Sequence, residues 1–391
     1  MRRKRVGILT GGGDTPPLNA VIFGLRDLLS THCEVIGFVK GWQGVLERDY
    51  VHLNSIESYG HVGGTFLKSS RVNLAVIRDG FQRANHNLAD LDYLVVIGGD
   101  DTLSNIYGIE SCICFAVSKT IDNDVGRCSI EKDGIAVENY FTLGYPTAAN
   151  KIVSYVSWQE GVRTTAYSHE RIVIVESMGM HAGWLALAAD FGGPDFIIIP
   201  EFPLNYDAFV EKLKEQYFRD KNSVLVVAEG SKLANGVYLK EDSSETDDFG
   251  HARFGGSSFV LRDMLKKDLA GFMNVRNINA VNPSYLYRCG RPNKLEEETA
   301  QAVAQLIGEL VLQNAIQEHQ FVSVEYENGK FYAKNQPLAS FAKTNDGRFP
   351  KRYVGEAFYD REKNRATREW REYLQPMLAN AGNAGRDYRY I

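Results

Sequence analysis

The sequence of 391 residues predicts an α/β fold, built as two lobes of mostly parallel sheet with helices on both faces. Two observations point there first. Short unbroken runs of Val, Ile and Leu recur along the chain, and helical patterns stand between them. Strands that read as continuous apolar runs are those buried on both faces. The third observation is the chemistry of the strand ends: nearly every run closes in a cluster of Gly, Asp, Thr or Ser. In open α/β sheets ligands bind beyond the carboxyl ends of the strands, so these polar clusters belong on one rim.

Val6–Leu9 reads as the first strand, and Gly11-Gly12-Gly13-Asp14 leads from it into a helix from about Pro17 to Ser30, with proline near its first turn. Val35–Val39 is the second strand and Tyr93–Ile97 the third, the latter ending in Gly98-Gly99-Asp100-Asp101-Thr102. Ile113–Val117 ends in Ser118-Lys119-Thr120-Ile121-Asp122-Asn123-Asp124, and Arg171–Glu176 ends in Ser177-Met178-Gly179 before a helix near His181–Phe191. Phe196–Ile199 and Val224–Ala228 are further strands, and a helix near Leu295–Leu312 returns the chain to the first lobe. The expected division is 1–147 rejoined by about 307–346 for the first lobe, 148–306 for the second, and 347–391 as a C-terminal extension serving as a surface helix or interface.

Composition narrows the function classes. The 44 Lys+Arg and 49 Asp+Glu leave a net charge of -5, which disfavours a general nucleic-acid surface. No apolar run is long enough to span a membrane, and the run after Met1-Arg2-Arg3-Lys4-Arg5 is too short for a signal-peptide core. Cys33, Cys112, Cys114, Cys128 and Cys289 form no Cys-x-x-Cys pair and read as free thiols, so a reducing cytoplasm is expected.

Three rim motifs have the makings of chemistry. Gly11-Gly12-Gly13-Asp14-Thr15-Pro16 lies where backbone amides and a helix N-terminus favour an anion. Pro16 stands where a dinucleotide fingerprint needs its last glycine, and no Walker loop is present. In Gly98-Gly99-Asp100-Asp101-Thr102, Asp100 suits a magnesium ion, while Asp101 is a repulsive neighbour for a polyphosphate; either aspartate could instead cap a helix. Asp122 and Asp124, two residues apart in an extended loop, can divide a general-base role and a metal or positioning role. Each motif alone is also compatible with ordinary turn chemistry.

Taken together and in order, these motifs resemble the phosphofructokinase family. The match includes Gly63-Gly64-Thr65, Ser69-Ser70-Arg71, Glu176-Ser177-Met178-Gly179, Ala228-Glu229-Gly230 and Pro283-Ser284-Tyr285-Leu286-Tyr287-Arg288, and it spans about Val6 to Leu310. The resemblance implies two Rossmann-like lobes and a residue-by-residue division of labour. Asp122 matches the general base, with Thr120 and Asp124 around the reacting oxygen, Lys119 beside them, and Arg71 bridging the transferred phosphoryl group. Gly12, Gly13, Asp101 and Thr102 match the donor site, and Asp100 matches the ligand of the Mg2+ cofactor. Arg171, Met178, Gly179, Glu229, Tyr285 and Arg288 match the sugar-phosphate site. In the family the arginine matching Arg171 reaches into a neighbouring subunit, which implies a homodimer or homotetramer with shared sites.

ATP-using bacterial relatives carry glycine where Asp101 and Lys119 stand, so this pair resembles the pyrophosphate-dependent branch. A carboxylate at Asp101 crowds and repels the α-phosphate of a nucleotide, and Lys119 adds a cation for a compact diphosphate. The expected reaction is Mg2+-dependent phosphoryl transfer from pyrophosphate to fructose 6-phosphate. Two departures bear on the acceptor: Met180 and Asn279 stand where relatives carry cations, with Arg276 nearby. A neutral amide cannot replace a charge-assisted contact to a phosphate. Another sugar phosphate, or a polyol such as myo-inositol, is therefore the alternative acceptor, and a non-catalytic regulatory subunit is the alternative of a different class.

Overall fold

The computed structural model describes residues 2–131, 134–240, 256–341 and 349–378. Of the expected C-terminal extension, 347–348 and 379–391 lie outside the described residues, as do 342–346 of the segment expected to rejoin the first lobe.

An eight-stranded sheet forms the larger layer. Its order runs Lys330–Pro337, Gln320–Glu327, Ile113–Thr120, Tyr93–Gly98, Lys4–Thr10, Cys33–Phe38 and Tyr50–His52, and the two-residue strand Leu143–Gly144 pairs beside the end of Ile113–Thr120. The pairings from Gln320–Glu327 through Cys33–Phe38 are all parallel, and each outer edge is closed by an antiparallel strand. The smaller sheet is wholly parallel, in the order Phe196–Ile198, Ser223–Ala228, Ile172–Ser177, Ile278–Val281.

Alternation along the strands explains how two sheets and their helices share a core. In Tyr93–Gly98, Tyr93, Val95 and Ile97 face a central core, while Leu94 and Val96 face an outer one. In Ile172–Ser177, Val173 and Val175 join the same central core, and Ile172 and Ile174 turn to the outer face of the small sheet. Period two puts successive side chains on opposite faces, so each strand serves two apolar layers and reads as a continuous apolar run. Helix Leu18–Leu29 packs against Lys294–Gln313 in the central layer. The long helix is capped by Asn293, whose side chain accepts from the Glu296 amide.

Two features depart from the sequence expectation. The strand expected to stop at Val117 runs on to Thr120, because Lys119 and Thr120 pair with Leu143 and Gly144. Lys119 is therefore a buried sheet residue and not part of a loop. The described part of the tail, 349–378, is also no superficial appendage. Phe349, Val354, Phe358, Tyr359, Trp370, Tyr373, Leu374 and Met377 are all buried. Trp370 and Trp184 lie with ring centroids 5.6 Å apart, so the tail is knitted into the central core.

Candidate active site

The first wall of the site is the glycine turn after strand Lys4–Thr10. The Gly11 amide donates to the Ile97 carbonyl at 3.0 Å, and the Gly12 amide donates to the Ser70 carbonyl at 2.9 Å. The first bond ties the turn to the third strand and the second ties it to the Ser69-Ser70-Arg71 segment. Lys119 lies beneath it: its ammonium donates to the Gly11 carbonyl at 2.8 Å and also to the Gly13 carbonyl. Burial, with Arg288 and Arg71 adding like charge, holds the Lys119 ammonium down to about 7, against an opposing pull from Asp14 and Asp122. Thr102, expected at the donor, is buried, with its side chain wedged against Gly11 and Gly98 and its carbonyl accepting from Trp42 Nε1 at 2.9 Å. It holds the two glycine turns together.

The second wall is the loop after Thr120. The Asp122 amide donates to Thr120 Oγ1 at 3.0 Å, which folds the loop back on its own strand end. Asn123 takes the left-handed conformation, φ 55°, and its side-chain oxygen accepts from the Thr142 amide at 3.1 Å. This places Asp122 and Asp124 on either side of an anchored asparagine. Burial raises the Asp122 carboxyl above its ordinary value, opposed by Arg288, His181 and Lys351. Asp124 is pushed up to about 7, by burial first and then by Asp122 and Asp100. Asp122 Oδ1 is buried and has no hydrogen-bond partner among the described residues. A buried carboxylate oxygen without a donor is costly, and a hydroxyl donor presented by a ligand would satisfy it.

The third wall comes from the smaller sheet. Glu176 is buried and accepts from the Gly256 amide at 3.0 Å, the Ser258 amide at 2.9 Å and Asn282 Nδ2 at 2.9 Å. It thereby fixes the end of strand Ile172–Ser177 against the segment leading to Tyr285 and Arg288. Glu229 Oε1 accepts from the Gly179 amide at 3.1 Å, and burial together with Asp122 pushes its carboxyl up to about 8. Gly230 is obligatory here, because a Cβ would stand 1.8 Å from the Met180 carbonyl oxygen. Arg288 reaches furthest. A Cβ on Gly13 would lie 2.6 Å from its Nη1, so the guanidinium covers the glycine turn while also acting on Asp122. Tyr285 is 70% exposed at the mouth.

Arg171 is not brought to this cleft. It precedes strand Ile172–Ser177, whereas Met178 and Gly179 follow it, and six residues of strand span about 20 Å. Its Nη1 instead donates to Thr165 Oγ1 at 2.6 Å. Asn279 sits at the same end, paired in register with Val173, and is exposed.

Several site residues escaped the sequence reading. Lys351 Nζ lies 2.7 Å from Asp100 Oδ2. Arg352 is buried against the Asp122–Asp124 loop, donating to the Asn123 carbonyl at 2.6 Å and the Asn139 carbonyl at 2.7 Å, with its charge 5.3 Å from the Trp184 ring centre. Tyr373 OH donates to the Tyr140 carbonyl at 2.6 Å and accepts from Asn123 Nδ2 at 2.8 Å. His181 acts on Asp122 from the loop after Gly179. The only sequence signal for Lys351 and Arg352 was a basic pair beside Phe349 and Pro350, indistinguishable from surface charge.

The oxygen donors fit a hard cation. Among the described residues no group of three or more His, Cys, Asp or Glu could hold an ion alone. Magnesium takes one or two carboxylates and completes its shell with water and phosphate oxygens, so Asp100, already facing a cation, and neighbouring Asp124 suffice.

Comparison with known proteins gives a consistent result. The family model described as Phosphofructokinase matches residues 5–311. The pyrophosphate–fructose 6-phosphate 1-phosphotransferase of Dictyoglomus thermophilum is 37% identical over 302 residues, covering 75% of this chain and 82% of that protein. The ATP-dependent 6-phosphofructokinase of Corynebacterium efficiens is 31% identical over 311 residues, covering 77% of this chain and 84% of that protein. Among solved structures, the pyrophosphate-dependent phosphofructokinase of Marinobacter aquaeolei superposes with a TM-score of 0.78 at 20% identity, over 96% of this chain and 92% of that chain.

Proposed function

The chain belongs to the phosphofructokinase family, and from that premise we propose that it transfers a phosphoryl group from pyrophosphate to fructose 6-phosphate, with Mg2+. The observation that carries the choice of donor is Asp101. It follows Asp100 in the first turn of helix Asp100–Ser104, so two carboxylates begin the helix that lines the donor side. A nucleotide's α-phosphate would meet that second carboxylate, whereas a diphosphate is short enough to end before it. The relatives named as pyrophosphate-dependent, from Dictyoglomus thermophilum and Amycolatopsis mediterranei at 37% and 38% identity, support the same reading beside the ATP-dependent ones.

The chemistry divides among residues already placed. Asp122, with a raised carboxyl and an unpartnered oxygen, accepts the proton of the acceptor hydroxyl. The oxygen attacks one phosphorus of pyrophosphate, the bond from that phosphorus to the bridging oxygen breaks, and orthophosphate leaves. Arg71 and Arg288 offset charge on the transferred group, and Lys119 keeps the glycine turn in shape from below. Mg2+, when bound at Asp100 and Asp124, supplies charge neutralisation on the phosphate oxygens. Glu229, Met178, Gly179 and Tyr285 orient the sugar. Arg171, remote from this cleft, serves the acceptor site of a second copy in a homodimer or homotetramer.

A second acceptor reading is favoured by Asn279, which is exposed and neutral at the Arg171 end of the small sheet. It would have the same transfer chemistry act on another sugar phosphate or on a polyol. The test is orthophosphate release with Mg-pyrophosphate or Mg-ATP against a panel of sugar phosphates and free polyols. We expect pyrophosphate and fructose 6-phosphate to be preferred, and Asp101→Gly to admit ATP. Efficient ATP use by the unmodified protein would overturn the donor assignment, and a better acceptor in the panel would replace fructose 6-phosphate.

A further inference from the structure

The Asp100–Lys351 pair is an anomaly for a metal ligand. The carboxylate oxygen expected to take Mg2+ is held by a lysine, and that lysine comes from beyond the 5–311 stretch shared with the family model. Its placement is not accidental to the backbone. Val125 and Lys351 form an antiparallel bridge, the Gly126 amide donates to the Pro350 carbonyl at 3.0 Å, and the Arg352 amide donates to the Asp124 carbonyl at 2.8 Å. Three backbone contacts thus lock residue 351 beside the catalytic loop. The Lys351 side chain is 32% exposed and that of Asp100 18%, so the pair opens onto the cleft. Around it stand Asp100, Asp101 and Asp124, with Asp122 also within electrostatic reach.

A divalent ion bound by Asp100 would compete with the Lys351 ammonium for the carboxylate and would repel it as a like charge. The lysine's hold on Asp100 would then weaken as a multiply charged diphosphate arrives in the same cleft. An ammonium carries three donors on a flexible stem and adapts readily to a phosphate oxygen. We propose that Lys351 is a donor-binding residue, holding Asp100 while the cleft is empty and transferring to a phosphate oxygen of the diphosphate when the metal takes the carboxylate. This rests on the pyrophosphate reading and extends it to the tail, a part of the chain outside the family match.

The test is calorimetric titration of the full-length protein with methylenediphosphonate at fixed Mg2+, using wild type, Lys351→Met and Lys351→Arg, beside titration with Mn2+ alone. Without its charge-assisted hydrogen bond to the donor, Lys351→Met should bind the diphosphonate about 10- to 100-fold more weakly. Lys351→Arg should keep most of the affinity, and Mn2+ alone should bind Lys351→Met at least as tightly as wild type, since a competitor has gone. Diphosphonate binding by Lys351→Met within twofold of wild type would overturn the proposal while leaving the pyrophosphate reading intact. Failure of wild type to bind the diphosphonate would overturn both. Should Lys351→Met lose its circular dichroism signature, Lys351→Gln takes its place, and loss of fold there too would make the lysine structural and overturn the donor role.

Discussion

In its proposed role as the base, Asp122 would need a proton affinity high enough to take a hydroxyl proton and low enough to be ionised beforehand. Burial supplies the first, and Arg288, His181 and Lys351 supply the second. Asp122→Asn keeps the shape and removes the base, so turnover should fall about 10²- to 10⁴-fold with substrate binding and melting temperature little changed. Steady-state kinetics checks it, and a loss under tenfold would show that another group takes the proton. Lys119 offers a separate test. Its ammonium is held down to about 7 in the free protein, by burial first and then by Arg288. A bound diphosphate favours the charged form and raises that value, so binding at pH 8 should take up a fraction of a proton, and affinity should fall as pH rises through about 7. Calorimetry in two buffers of different ionisation enthalpy reads the uptake, which Lys119→Met should abolish. These residues were legible in the sequence because each belongs to a short contiguous motif at a strand end. Lys351, Arg352 and Tyr373 were not, because what makes them part of the site is a fold-back over more than 200 residues, from Asn123 to Arg352 and Tyr373.

At the scale of the element, the loop after strand Ile113–Thr120 is held by the tail as much as by its own sheet. Arg352 donates to the Asn123 and Asn139 carbonyls, and Tyr373 and Tyr140 exchange hydroxyl-to-carbonyl bonds. Arg352→Met would leave those buried carbonyls without donors, at a cost of about 2–4 kcal/mol. Denaturant unfolding should show that loss, and kcat should fall further than the change in KM, because the loop carrying Asp122 is released while the residues proposed to orient the sugar stay in place. The strands buried on both faces were predictable to within a few residues, since such burial leaves an unbroken apolar run, whereas the edge strands Tyr50–His52 and Ile278–Val281 were not read. Hairpin Gln320–Glu327 with Lys330–Pro337 escaped because its outer strand alternates exposed and half-buried positions and carries Lys, Asn and Gln. Thr120 escaped as a strand residue because its partner, Leu143–Gly144, is only two residues long.

At the scale of the molecule, Asp124 provides a stability test. Its carboxyl stands at about 7 in the folded protein against 3.8 ordinarily, so the native state holds the proton more tightly than the unfolded chain. The resulting stabilisation is complete below the ordinary value and is lost as pH rises to about 7. Asp124→Asn should therefore melt higher than wild type at pH 8, with the difference shrinking toward pH 4 in scanning calorimetry. A second test removes the tail. Phe349, Val354, Phe358, Tyr359, Trp370, Tyr373, Leu374 and Met377 are buried, and large apolar side chains contribute about 1.5–3 kcal/mol each, as much together as the roughly 5–15 kcal/mol by which a whole domain is stable. A chain ending before Phe349 should lose its cooperative thermal transition and its near-ultraviolet dichroism, despite keeping every family motif.

The fold-back of the tail also orders events in time. A chain leaving the ribosome exposes all its family motifs by residue 311, before the strand Gln320–Glu327, Arg352 and Tyr373 have emerged. Until they emerge, the strand Ile113–Thr120 lacks its neighbour on one side, and the loop bearing Asp122 has no clamp. Pairing over such separations is slow, because loop closure comes before any contact rewards it. Catalytic competence is thus the last property the nascent polypeptide acquires, and a translation product cut short by a tenth of its length is a phosphotransferase in its motifs alone.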